Sequence, residues 1–393
     1  MVHRVVRSVT AVAAAAGLSV GLASTASADP GHVRNASLTA RVLINGARLH
    51  HNVKGKAEAL SDPDDIARVR GRLFVAWQNG VGSMGEPSST GNTASTLVEA
   101  SLSGRVLRQW DLTGKIDGLG ANQQTGEVVA TVNEDGNSSL YTINPEARNG
   151  GVTHYRYNQQ PLPHGGGTDA VTFQDGLLLI SASAPTVANG PAVYEVRLEP
   201  TGTAVVKSLF ADNAAARPAN PGAPTKLALT DPDSNISVPR SAPRFGGDFM
   251  LDSQGDMEQI YVSHPGTPAQ TLSVLALSRS VDDTAFVTND QGVLVSSDPT
   301  SDTVDTVSGP FHAGQAFVAV TPCDANGAPS TCPAPGFPAN HLGSLDLRTG
   351  KVSPVKVTGA TFNPQSLLFA AAGQGSQGQQ GQQGQGGQGG QGD

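Results

Sequence analysis

The sequence predicts an all-β fold, a seven-bladed β-propeller in which one blade is shared by N- and C-terminal strands. Three observations carry this expectation. The apolar runs are of strand length, turn residues punctuate the whole chain, and a unit of four short strands recurs along it. Its 393 residues include 47 Gly and 26 Pro but only 5% aromatic side chains, a turn-dense composition that excludes a helix bundle. Runs such as Leu73–Trp77, Val128–Val132, Leu177–Ile180 and Gln259–Val262 are bounded by Gly, Pro, Asn or Asp clusters and read as strands. After residue 28, helical spacing appears only weakly, over Lys56–Ala67.

Residues 1–28 read as a secretory leader. Arg4 and Arg7 precede an apolar stretch from Val9 to Ala23, and Ala26-Ser27-Ala28 supplies a small-residue cleavage site before Asp29. The apolar run is shorter than the roughly 20 residues a spanning helix needs. Export as a soluble extracellular protein is therefore expected, with no transmembrane segment. Losing Arg4 and Arg7 takes the formal charge from −8 to −10. So acidic a chain has no basic surface for a phosphate backbone, and nucleic acid is not an expected partner.

Residues 29–372 form the expected propeller. Each unit begins with an acidic residue and a small-apolar strand, and three further strands follow. Units start at Asp65, which carries a Gly/Ser/Thr insertion over Gly80–Ala94, and at Asp117, Asp169, Asp248, Asp283 and near Gly314. A last start at Ala360 has only two strands, including Leu367-Leu368-Phe369. An N-terminal hairpin, Leu38–Ile44 and Arg48–Val53 around Asn45-Gly46, would complete it and leave no open edge. The 344 residues from Asp29 to Ala372, shared among seven units, give about 49 each, within the range of propeller repeats. Residues 373–393 are almost all Gln and Gly. They have no apolar side chains to offset their ordering entropy, so a disordered tail is expected.

The two cysteines, Cys323 and Cys332, flank a loop of Asp, Asn, Gly, Pro and Ser. They read as a local disulfide, or else as a pair of metal thiolates. No His or further Cys stands at zinc-site spacing, which favours the disulfide.

The organisation resembles secreted seven-bladed propellers of the NHL and lactonase-like type, and the chain as a whole is similar to a group of exported actinobacterial propeller proteins. The residues that carry the resemblance are Leu229-Thr230-Asp231-Pro232-Asp233-Ser234-Asn235, Gly247-Asp248-Phe249, Ser253–Val262 and Ser280–Thr288. It implies the fold and leaves the activity open.

Chemistry concentrates at one repeat position. Asp65, Asp117, Asp169, Asp248 and Asp283 each precede an expected innermost strand, which would gather five carboxylates at one mouth of the central channel. Crowded carboxylates repel, and a hard divalent cation such as calcium would relieve them. Alternatively, each Asp accepts hydrogen bonds from its own turn amides. His164, in Pro163-His164-Gly165-Gly166-Gly167-Thr168-Asp169, is a candidate base or metal ligand beside Asp169, or else part of a glycine-rich turn between blades. Asn133-Glu134-Asp135-Gly136-Asn137 lacks the ligand spacing of an EF-hand and reads as a hairpin loop.

Two functions follow as expectations. The first is a monomeric extracellular binding or scaffold propeller that recognises a protein or small molecule. The second is a metal-dependent, lactonase-like hydrolase or lyase with its site at the channel mouth. No Gly-x-Ser-x-Gly elbow, His-Glu-x-x-His motif or P-loop is present. Intact-mass measurement of the exported protein is expected to show a chain starting at Asp29 and lighter by the two thiol hydrogens. A retained leader or two free thiols would contradict this.

Overall fold

The computed structural model describes residues 37–148, 151–321 and 340–372. The leader, the Gln/Gly segment, Cys323 and Cys332 lie outside the described residues. Among the described residues every element but one is a strand; the exception is a single turn of 3-10 helix at Gly46–Arg48.

The strands form four-stranded antiparallel units arranged around an axis. Blade one is Pro63–Val69, Arg72–Trp77, Ala94–Ser101 and Val106–Thr113, in sequence order from axis to rim. Blade two runs from Ile116–Ala121 to Val152–Tyr157, blade three from Val171–Gln174 to Thr203–Ala211, and blade four from Pro232–Ser237 to Thr271–Ala276. Blades two and three also join at the rim, where Arg156 and Tyr157 pair in parallel with Thr203 and Ala204.

Blades five and six interlock. Blade five takes its inner strand from Val281–Phe286 and its others from Ala316–Val320, His341–Asp346 and Lys351–Pro354. The hairpin Gly292–Asp298 and Thr303–Ser308 lies between those pieces in sequence but belongs to blade six. There it is flanked by Leu367–Ala371 on the axis side and by Leu38–Asn45 on the rim side. One blade is therefore shared by N- and C-terminal strands. Val357–Gly359 adds a short parallel strand outside Leu38–Asn45.

Each inner strand touches the next around the axis, and Leu367–Ala371 returns to Pro63–Val69. Among the described residues this gives six four-stranded units, not the expected seven. Hydrophobic packing gives the same count. Six apolar clusters each lie between two adjacent blades, for example Phe74, Leu97 and Ala130 between blades one and two, and Val295, Val304 and Trp77 between blades six and one. Every blade thus buries both faces, which is why its central strands are apolar on successive residues rather than alternating.

The expected count was too high because Asp283, Gly314 and Ala360 read as three starts. The strands at Val281–Phe286 and Ala316–Val320 are one blade, split by the hairpin that crosses to its neighbour. The N-terminal hairpin also differs from expectation. Leu38–Asn45 pairs with Thr303–Ser308, while His50–Val53 pairs with Lys56–Ala59 as a separate two-stranded ribbon. The weakly helical stretch at Lys56–Ala67 is strand.

Leu38 is fully buried against Ala285, Phe317 and Leu342 of blade five, whereas Val42 on the same strand is half exposed. Leu38→Ala is expected to lower the unfolding free energy in urea by about 2–5 kcal/mol. Val42→Ala should change it by about 0.5 kcal/mol or less. Equal effects of the two would show that this strand does not close the ring.

Candidate functional site

Four of the inner strands carry a β-bulge at their axial start. In blade one, Pro63 opposes Trp77 and Ile66 opposes Val75, so three steps on the inner strand meet two on its partner. Blades two, four and five repeat this with one extra residue at Ile116–Leu119, Pro232–Asn235 and Val281–Asp283. A bulge breaks the alternation of the strand and re-aims side chains. Here both Asp64 and Asp65, and both Asp282 and Asp283, line the channel mouth.

Equivalent positions around the axis are Asp64, Asp117, Asp169, Asp233, Asp282 and Gln365, and all six line one cavity of about 250 Å³. Asp65, Asp231, Asp283 and Glu134 add carboxyl groups to its wall, against a single lysine among the described residues, Lys115. Lys115 Nζ is 2.9 Å from Asp117 Oδ1 and also pairs with Glu134. Neutral donors complete the mouth. Gln365 Nε2 donates to Asp64 Oδ1 at 2.8 Å, Gln254 Nε2 to Asp282 Oδ1 at 2.8 Å, and Gln78 Nε2 to Asp117 Oδ1 at 3.1 Å.

Asp65 and Asp283 serve the frame. Asp65 accepts from its neighbour Ile66 N at 2.6 Å and, across the blade boundary, from Leu119 N at 2.6 Å. Asp283 accepts from Thr284 N at 2.6 Å and from Leu367 N of blade six at 2.6 Å. Ser366 Oγ lies 3.1 Å from a carboxyl oxygen of each. For these two residues the turn-amide alternative describes the contacts seen.

Burial keeps the mouth carboxyls from ionising freely. Asp64, Asp117, Asp233 and Asp282 are all pushed well above the usual carboxylate range by burial, and then by their acidic neighbours: Asp117 for Asp64, Glu134 for Asp117, Asp169 for Asp233 and Asp283 for Asp282. Burial and Glu134 raise Asp169 to about 7, and a hydrogen bond with Asp233 across blades three and four pulls it back in part. Burial and Asp65 raise Asp283 to about 8 against the amides that bind it. For Lys115, burial would lower the pKa, but Asp117, Glu134 and Asp64 outweigh it and hold the ammonium charged.

The expected site residues divide accordingly. Asp65, Asp117, Asp169 and Asp283 converge on the mouth; Asp248 does not. It stands just before the second strand of blade four, Phe249–Ser253, where its Oδ1 accepts from Ser263 Oγ at 2.7 Å, and Asp233 holds the position assigned to it. The sequence carried the signal, because Asp-Pro-Asp occurs at 62–64 and again at 231–233, in the same register before two inner strands. His164 is fully buried, with Nδ1 2.6 Å from Tyr194 Oη and Nε2 3.0 Å from Ser183 O. Both ring nitrogens are engaged in packing blade three, and burial lowers its pKa. The glycines beside it permit close approach: a Cβ on Gly167 would lie 2.2 Å from Glu134 O. Residues 133–137 do connect two paired strands as a hairpin loop, and that loop delivers Glu134 to the mouth. Among the described residues, no three of His, Cys, Asp or Glu stand close enough to hold a metal ion together.

No protein-family model and no curated protein sequence matches the chain. Similar folds occur among solved structures. A structural-genomics protein of unknown function from Bacteroides thetaiotaomicron is 14% identical, with 85% of this chain and 71% of that chain covered and a TM-score of 0.46. A periplasmic gluconolactonase of Pseudomonas aeruginosa is 13% identical, with 80% and 90% covered and a TM-score of 0.41. AztD of Citrobacter koseri, in its apo form, is 11% identical, with 80% and 91% covered and a TM-score of 0.35. The propeller described above rests on this chain's own strand order, and its chemistry on its own side chains.

The raised carboxyl pKa values set a direction for stability. These groups keep protons in the folded state that the unfolded chain releases above about pH 4, so the native state binds more protons between about pH 4 and pH 8. Stability should fall as pH rises through that window, by on the order of a few kcal/mol. Thermal melting is expected to be highest in mild acid and to drop towards pH 8, and Asp64→Asn with Asp282→Asn should flatten the profile. A melting temperature that climbs from pH 5 to pH 8 would contradict this picture.

Proposed function

We propose that this chain is an exported, non-enzymatic binding propeller that takes a small organic cation, an ammonium or guanidinium, at the acidic end of its axial channel. The observation that carries the reading is the composition of the mouth: among the described residues, nine carboxyl groups and one lysine around a single cavity. Their self-repulsion is relieved by any cation that enters. An ammonium suits the geometry better than a metal ion. Calcium needs several oxygens converging at about 2.3–2.6 Å, and no such group of acidic side chains exists among the described residues. N–H donors reach carboxylates at about 2.7–2.9 Å from a ligand with its own volume, so the acceptors can stand further apart.

The metal-dependent lactonase reading needs three protein ligands and an activated water. It loses Asp248 from its expected ligands and its base with His164 packed inside blade three. Export rests on the leader read in residues 1–28. Among the described residues, no helix is long and apolar enough to cross a membrane.

Isothermal titration at pH 7.5 and low salt tests the reading with methylammonium, guanidinium, calcium and acetate. Methylammonium or guanidinium should bind and acetate should not. Because an entering cation lowers the raised carboxyl pKa values, binding should release protons, seen as a heat that depends on the buffer's ionisation enthalpy. Asp64→Asn and Asp233→Asn should each weaken binding about tenfold, one charge contact being worth about 1.5 kcal/mol or more. Tighter binding of calcium than of either organic cation, or no binding of any cation, would overturn the proposal.

A further inference from the structure

The channel continues past the mouth. A second chamber of about 400 Å³ follows along the axis and shares Asp65, Ala170, Ser234 and Asp283 with the acidic one. These four residues mark a neck. Position by position, the residue after the acidic ring is Asp65, Gly118, Ala170, Ser234, Asp283 or Ser366, so four of six side chains at the neck are small. The two carboxyls there are drawn aside onto the amides of Leu119 and Leu367.

Beyond the neck the wall changes character. Phe173, Phe286 and Phe369 line the chamber together with Leu119, Ile236 and Leu368. Asn235, nine-tenths buried in the same wall, donates Nδ2 to Ala170 O and Ser181 Oγ at 2.7 Å each, and its Oδ1 has no hydrogen-bond partner. Arg68 and Arg70 stand on the chamber lining on the side away from the aspartate ring.

Resting on the reading of the mouth as an organic-cation site, we propose that the ligand is an amphiphilic amine. Its ammonium sits among the mouth carboxylates and its apolar body passes the neck into the aromatic-lined chamber. The two arginines fix this polarity, because a second cationic end in the chamber would meet like charge. An apolar body without a cation would leave the carboxylates unrelieved.

Titration of the full chain with methyl-, butyl- and hexylammonium, with 1,6-diaminohexane and with hexanol tests this. Affinity should rise about fourfold per methylene along the monoamines, the gain for removing one methylene from water. The diamine should lose most of that gain, and hexanol should not bind measurably. Ala121→Phe on blade two and Ser237→Phe on blade four would each place a ring in the chamber, since both positions line it. Either should flatten the chain-length series and leave methylammonium affinity unchanged. If methylammonium binds wild type as tightly as hexylammonium, or if both filled variants keep the full slope, the chamber takes no part and the amphiphile is wrong while the mouth reading stands. If no amine binds, this inference fails; if guanidinium does not bind either, the mouth reading fails with it.

Discussion

At the axis of this molecule six strand edges face one another with no sheet to cover them. A strand edge offers unpaired amides, and a bulge adds more, because the extra residue takes its neighbours out of the ladder. Asp65 and Asp283 answer that constraint directly, each binding an amide of its own strand and one of the next blade. Asn235 and Thr131 do equivalent work between other blades, donating to Ala170 O and Asp169 O respectively. Side chains at the bulges therefore replace the backbone ladder that neighbouring blades cannot form. The apolar clusters hold blades together further out, but where the blades converge the connection is polar.

That solution creates the electrostatic problem on which the proposed function rests. Carboxylates are good acceptors for orphan amides; the four bulges bring Asp64, Asp65, Asp117, Asp233, Asp282 and Asp283 to one small cavity, and Asp169, Asp231 and Glu134 join them there. The frame uses two, Asp65 and Asp283. Asp64, Asp117, Asp169, Asp233 and Asp282 line the same space with fewer amides to stabilise their charge, and burial and acidic neighbours raise their pKa values, as they do that of Asp283. One lysine, Lys115, pairs directly with Asp117 and Glu134 and partly offsets the rise at Asp64 and Asp169. Under the proposed function such a mouth trades stability at neutral pH for affinity towards a cation, the usual relation between a binding site and the fold that carries it.

Much of this was legible in the sequence, and the failures have physical causes. The starts at Asp65, Asp117, Asp169 and Asp283 were found because an acidic residue before a short apolar strand survives as a pattern even without a count of blades. Asp233 was missed because Pro232–Ser237 reads Pro-Asp-Ser-Asn-Ile-Ser, too polar for a core strand; its partners at the axis are side chains and a cavity, and polarity is what that position requires. Asp248 took its place because Phe249–Ser253 has the apolar run expected of an inner strand, although it is the second. Lys115 and Glu134 carry no local signal at all, since only the packing of two loops in three dimensions brings them together. The exchange of hairpins between blades five and six is likewise invisible to a repeat search. Val281–Phe286 and Gly292–Asp298 look like hairpin partners in sequence, and nothing local says that they pair with different blades.

Blade six differs from the others in a way that follows from how it is assembled. Its strands come from three separate stretches, residues 38–45, 292–308 and 367–371, and it alone has no acidic residue in the ring. Gln365 and Ser366 stand there instead, and both act as donors: Gln365 to Asp64, 301 residues away, and Ser366 towards Asp65 and Asp283 on either side. Closing a loop of that length is the least favourable step in conformational entropy that the ring demands. A carboxylate at this seam would add repulsion from Asp64, Asp65, Asp282 and Asp283 to that cost. A neutral donor pair instead makes acceptors of Asp64, Asp65 and Asp283 that draw the seam shut, so the gap in the acidic ring falls at the one blade where charge would oppose closure.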